Sequence, residues 1–135
     1  AIEVMLGIYA IQKKYPTTKI YVVGYSTGAT IAYSLAKFTR RLDENMPVIN
    51  GILTIGGFYH DEKYHNYGLE VLEGAPLLAV HGIKDYNIPV EVGQASYNQY
   101  GGPKLGFIPV PFADHSLTQL KSAINQSLKA LMKNT

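Results

Sequence analysis

Apolar and polar positions follow a helical period in some stretches of this chain and run continuously in others. Ile2, Met5, Leu6, Tyr9 and Ile11 recur near the helical period until YPTT at 15–18 stops the pattern, so the chain opens in a helix. KIYVV at 19–23 is a short β-branched run, which predicts a buried strand. After GYSTGA at 24–29, Ala29, Ala32 and Ala36 form a small-residue stripe beside Ile31, Leu35 and Phe38. That pairing predicts a helix able to sit close against a sheet. MPVINGILTIGG carries a second strand at about 51–55, and FYHDEKYHNYGLEVLEG after it is polar and aromatic, with at most a turn or two of helix. APLLAVHG is a third buried strand, and IPVEVGQASYNQYGG reads as a helix opened by Pro89 and closed by Gly101. KLGFIPVPF is a fourth strand whose prolines place it at an edge. From Ser116 the chain ends in a helix with Leu117, Leu120, Ile124, Leu128 and Leu131 on one face.

Strands that are continuous apolar runs, alternating with helices, predict an α/β fold: a parallel sheet with helices on both faces. There is no repeat, low-complexity segment or linker, so residues 1–135 read as a single domain. A chain of this length buries roughly 68% of its unfolded surface. In such sheets function gathers at the carboxyl ends of the strands.

Composition narrows the classes. The hydrophobic fraction of 47% and charged fraction of 16% fit a globular protein. A net charge of +2, with no basic run interleaved with aromatics, argues against a nucleic-acid partner. The chain has no cysteine, which excludes thiolate metal sites, disulfides and a Cys nucleophile and fits a reducing compartment such as the cytoplasm. No apolar run reaches the length of a membrane span, and the opening residues lack the pattern of a signal peptide.

The candidate chemistry lies on the loops after three of the strands. In Gly24-Tyr25-Ser26-Thr27-Gly28, glycines two before and two after the serine relieve crowding at a tight strand-to-helix turn. The hydroxyl is thrust out at the helix N-terminus, where the amide of Thr27 can donate to a developing oxyanion. The spacing alone is a weak signal; its position between a strand and a helix strengthens it. HGIKDYNIP carries Asp85, which either orients a histidine or caps the helix that follows. PFADHSL carries His115, which is either a proton-transfer group or a surface histidine near a helix start. Asp114 is a poor partner for His115 because adjacent side chains diverge, which leaves Asp85 as the better one.

In chain order Ser26, Asp85 and His115 resemble the α/β-hydrolase family, over nearly the whole chain but only the C-terminal half of that fold. GYSTG is similar to its nucleophile elbow, HGIKDYNIP to its HGxxDxxVP segment with the triad acid, and ADHS to its late histidine loop. The short intervals resemble the compact esterase and thioesterase branch. The resemblance implies hydrolysis of a small carboxylic ester or thioester through an acyl-enzyme on Ser26. His115 would act as base and then acid, Asp85 would hold its ring, and neither a metal nor an organic cofactor is needed. Other classes stay open: a non-catalytic binding module on the same fold, or an interaction fragment.

Tyr59, Tyr64 and Tyr67, after the second strand, either line a substrate pocket or pack on the surface, and Tyr25, beside Ser26, is expected to contact substrate. His60 and His65 with Asp61 or Glu62 match no standard metal-ligand spacing. His81 ends a strand, where local hydrogen bonding is its expected role. The family's sheet has strands before the helix that opens this chain, and one of their loops supplies a second oxyanion amide. No such segment precedes Ser26, and KIYVV would be left as an open edge. The expectation is that these residues belong to a longer protein, or that a second chain completes the sheet.

Overall fold

The computed structural model describes residues 2–36, 48–59 and 74–135. The elements, in order, are α1 (Ile2–Lys14), β1 (Tyr21–Tyr25), α2 (Gly28–Leu35), β2 (Gly51–Ile55), β3 (Leu77–Gly82), α3 (Val90–Gln99), β4 (Lys104–Val110) and α4 (Leu117–Lys133). Among the described residues the four strands form one parallel sheet in the order β1-β2-β3-β4. This is the α/β architecture that the alternating pattern predicts.

The two central strands, β2 and β3, are buried at every position, while β1 and β4 are only partly buried. Alternate residues on the central strands feed two cores. Ile52 and Leu77 face one core with Ile8, Ala29, Tyr33, Leu35 and Tyr100. Leu53, Ile55, Leu78 and Val80 face the other, with Leu120 and Leu131 of α4. Leu120 and Leu131 are fully buried, each contributing about 1.5–3 kcal/mol by removal from water. The alanine stripe of α2 behaves as its size dictates: Ala29, Ala32 and Ala36 are completely buried.

One local reading needs correction. The first strand lies at Tyr21–Tyr25 instead of 19–23, because Asn50 Oδ1 takes the amide of Ile20 at 2.7 Å and the ladder starts at the Tyr21–Gly51 pair. It therefore runs directly into Ser26. α2 ends at Leu35, and Phe38 is outside the described residues. In α1, among the residues whose side chains are described, Ile8 and Gln12 are buried while Leu6 and Ile11 are exposed. The inward face is chosen by a polar fit: the Gln12 amide donates to Val48 O at 2.7 Å and accepts from Val48 N at 2.9 Å. The edge reading of β4 holds, since it pairs with β3 alone among the described residues.

Candidate active site

The carboxyl ends of the strands lie level, with Tyr25 opposite Ile55, Ile55 opposite Val80, and Gly82 opposite Val110. Ser26 follows β1 with φ of 57°, making it the non-glycine residue in the left-handed region among those described. For a serine this conformation costs about 1–3 kcal/mol and persists only when its surroundings impose it. Here the Ser26 amide donates to Ile55 O at 2.9 Å, and the Ser26 carbonyl accepts from Ala29 N at 3.1 Å. The turn is tight because Gly24 lies against the start of α2. A Cβ on Gly24 would sit 2.6 Å from Gly28 O and 2.8 Å from Ala29 Cα. The other glycine of the elbow differs from expectation: a Cβ on Gly28 would meet nothing within 4 Å, so its steric reason is absent among the described residues. The amide of Thr27 has no acceptor among the described residues, which leaves it available at the N-terminus of α2.

Asp85 lies in the loop after β3 with its carboxylate fully buried. Its Oδ1 accepts from the amides of Asn87 at 2.9 Å and Ile88 at 2.8 Å. Its Oδ2 meets Nδ1 of His115 at 2.5 Å. The two readings of Asp85 are thus compatible, one oxygen closing a turn and the other facing the histidine. His115 Nε2 lies 2.8 Å from Ser26 Oγ. With the carboxylate as acceptor, Nδ1 carries the proton and Nε2 is left to accept from the serine hydroxyl. Asp114 is occupied elsewhere: its Oδ1 takes the Ser116 amide at 2.8 Å, and Ser116 caps α4 by accepting from Thr118 N at 3.2 Å.

Two supporting residues carry weak sequence signals. His81 is buried, and its Nε2–H donates to Ile88 O at 2.7 Å, so it ties down the far side of the Asp85 loop. The same nitrogen is 3.5 Å from Asp85 Oδ2. Its local bonding role matches the expectation; its closeness to the carboxylate was not foreseen. Gly56, at the end of β2, has φ of 53°, and a Cβ there would lie 3.1 Å from His115 Nδ1 and 3.3 Å from Asp85 Oδ2. The only local hint of this is the glycine pair that ends TIGG.

The tyrosines separate. Tyr25 stacks on His115, with ring centroids 5.1 Å apart and planes 28° apart, and its OH donates to His115 O at 2.5 Å. Tyr59 has other partners: its amide donates to Ser96 Oγ at 3.0 Å, and its ring packs edge-on against Tyr33 at 5.9 Å. That favours packing over substrate contact for Tyr59. Burial pushes the Tyr33 phenol up to about 12, with its hydrogen bond to Thr54 opposing the rise. Burial also raises Tyr97 and Tyr100. Tyr64, Tyr67, His60, His65, Asp61 and Glu62 are outside the described residues. Among the described residues no three His, Asp or Glu side chains gather into a metal site, and no helix is long and apolar enough to cross a membrane. A depression of about 330 Å³ lies beside His115, lined by Tyr25, Tyr86, Asn87, Asp114 and Ser116.

Comparison with known proteins bears on this geometry. A family model described as an alpha/beta hydrolase of unknown function (DUF915) matches residues 4–77, a stretch that includes Ser26 and stops short of Asp85 and His115. No curated protein matches the chain. Among solved structures the fold is similar to Zea mays acyl-protein thioesterase 2, with a TM-score of 0.63 and 17% identity over 93% of this chain and 62% of that one. Arabidopsis thaliana SOBER1 gives a TM-score of 0.66 and 19% identity over 97% of this chain and 64% of that one. Est1E from Butyrivibrio proteoclasticus gives 0.66 and 16% over 94% and 67%. The chain thus spans less than two thirds of the length of the first two.

Proposed function

The chain belongs to the α/β-hydrolase family DUF915, and from that premise we propose that it is a serine hydrolase cleaving carboxylic ester or thioester bonds. The observation that carries the reading is the continuous path from Ser26 Oγ to His115 Nε2 at 2.8 Å and from His115 Nδ1 to Asp85 Oδ2 at 2.5 Å, ending on a serine with φ of 57°. The ester and thioester classes are drawn from the names of the similar structures, an acyl-protein thioesterase and an esterase.

In this mechanism the Ser26 hydroxyl passes its proton to His115 Nε2 as Oγ attacks the acyl carbonyl carbon. The carbonyl electrons move to oxygen, where the Thr27 amide donates to the developing negative charge. The tetrahedral species collapses, the bond to the leaving oxygen or sulfur breaks, and His115 returns its proton to that atom. Water, deprotonated by the same nitrogen, then attacks the acyl-Ser26 carbonyl and releases the acid. Asp85 holds the Nδ1 proton throughout and stabilises the imidazolium. The depression is lined in part by His115, which returns the proton to the leaving group, and we assign it to that group. Among the described residues β1 pairs with β2 alone, which leaves its other edge open to a neighbouring strand.

The test is the intact mass of the protein after exposure to a fluorophosphonate. A single adduct on Ser26 is expected, absent in Ser26→Ala and slowed in His115→Ala. A folded protein that takes up no adduct would overturn the reading in favour of a binding module.

A further inference from the structure

We propose that Tyr25 is a positioning residue for His115: it fixes the general base over the nucleophile instead of binding substrate. The proposal rests on the hydrolase reading given above for the roles of Ser26 and His115.

Tyr25 is the last residue of β1 and is joined by a peptide bond to Ser26. Its side chain could have stood free in the depression that it borders. Instead both of its chemical ends are spent on one residue 90 positions away. The phenol O–H donates to the backbone carbonyl of His115 at 2.5 Å, and the ring lies nearly parallel on the imidazole at 5.1 Å. Across the depression, by contrast, Tyr86 is 88% exposed.

The rest of the histidine loop explains why such a clamp is needed. Around His115 the turn is held by Lys84 N donating to Ala113 O at 2.9 Å, Asp114 N to Gln119 Oε1 at 2.8 Å, and Ser116 N to Asp114 Oδ1 at 2.8 Å. These bonds bracket His115 without touching its own main chain. Among the described residues the Tyr25 hydroxyl supplies the hydrogen bond to that main chain. The imidazole has its edge nitrogens on Asp85 and Ser26, and those two in-plane contacts hold the ring least firmly against tilting out of its plane. A flat ring stacked on one face opposes it.

The clamp also has an electrostatic side. When His115 takes the serine proton, its ring becomes a cation against the negative face of the Tyr25 π-system, an arrangement that attracts. That attraction exists only once the proton has moved, so it acts on the transition state and not on bound substrate. Loss of Tyr25 should therefore lower kcat and leave KM nearly unchanged.

The test uses the full-length protein and p-nitrophenyl acetate, with Tyr25→Phe, which keeps the ring, and Tyr25→Leu, which removes it. Thermal unfolding establishes that each variant is folded. For Tyr25→Phe we expect kcat to fall about tenfold with KM within about twofold, and for Tyr25→Leu a fall nearer a hundredfold, the scale of a misplacement of about 1 Å. The downfield proton resonance of His115 Nδ1, held by Asp85 in the wild type, should broaden into exchange with water in Tyr25→Phe. A raised KM at unchanged kcat would make Tyr25 a substrate contact and overturn the proposal. So would folded variants with wild-type kcat and an unchanged Nδ1 resonance. Should the wild type neither turn over nor take up fluorophosphonate, the hydrolase reading falls by itself. The resonance still decides whether Tyr25 holds His115: broadening in Tyr25→Phe supports the clamp and persistence overturns it.

Discussion

Ser26 and His115 are 2.8 Å apart, yet they are held in place by different means. Ser26 is held by its own backbone. The left-handed φ, the absence of a side chain at Gly24 and the hydrogen bond that the Ser26 amide donates to Ile55 O fix the hydroxyl through groups within a few residues or one strand pairing. His115 is on a loop of ordinary conformation and is held by side chains from elsewhere in the fold, Asp85 and Tyr25, with Gly56 leaving room beneath. One half of the site is rigid because its backbone has no alternative. The other half is rigid only while its distant partners are present. Changes near Ser26 should therefore register as lost stability, and changes near His115 as lost rate in a protein that stays folded.

The largest effect that would break or sharpen this contrast is expected from Asp85→Asn. Its amide oxygen can still accept from Asn87 and Ile88, so the turn and the fold survive. The amide nitrogen, however, faces His115 Nδ1 and favours the wrong tautomer. Turnover of p-nitrophenyl acetate should fall about ten-thousand-fold with the unfolding midpoint nearly unchanged. A fall of less than about tenfold would detach Asp85 from the chemistry.

A smaller effect, on stability, is expected from Gly24→Ala. The added methyl would meet the backbone of Gly28 and Ala29, which cannot rotate away as a side chain could. Urea unfolding should show a loss of about 3 kcal/mol. Wild-type stability in this variant would mean that the elbow is not held by crowding. The smallest effect is expected from Gly28→Ala, which has open space and occupies the first turn of α2. Urea unfolding should show a gain of about 0.5 kcal/mol from the stiffer unfolded chain. A loss as large as that of Gly24→Ala would make both glycines steric requirements.

The difference between the two halves is also a difference in legibility. The elbow announces itself in six consecutive residues because the constraint is local: a tight turn needs a residue without a Cβ at Gly24. The strands β2, β3 and β4 and helix α4 were legible for a similar reason, since burial period and turn residues are carried by neighbours. α1 was legible as a helix but not in which face turns inward, because Gln12 is buried there with its amide matched to the Val48 main chain 36 residues away. Asp85 was legible as a candidate and ambiguous in role, because a turn-closing carboxylate and a histidine-holding one look alike until the third dimension is known.

The sequence by itself determined the α/β alternation, the place of Ser26 between strand and helix, and the order Ser26, Asp85, His115. Each follows from interactions between residues a few positions apart. Only the tertiary structure decided that one oxygen of Asp85 closes its own turn while the other meets His115, that Tyr25 turns onto His115 while Tyr59 packs on Tyr33, and that Gly56 leaves the space Asp85 and His115 share. The contacts with His115 join positions about 30 to 90 residues apart. They depend on strand register and on which loop ends level with which, and no short window of sequence carries that information.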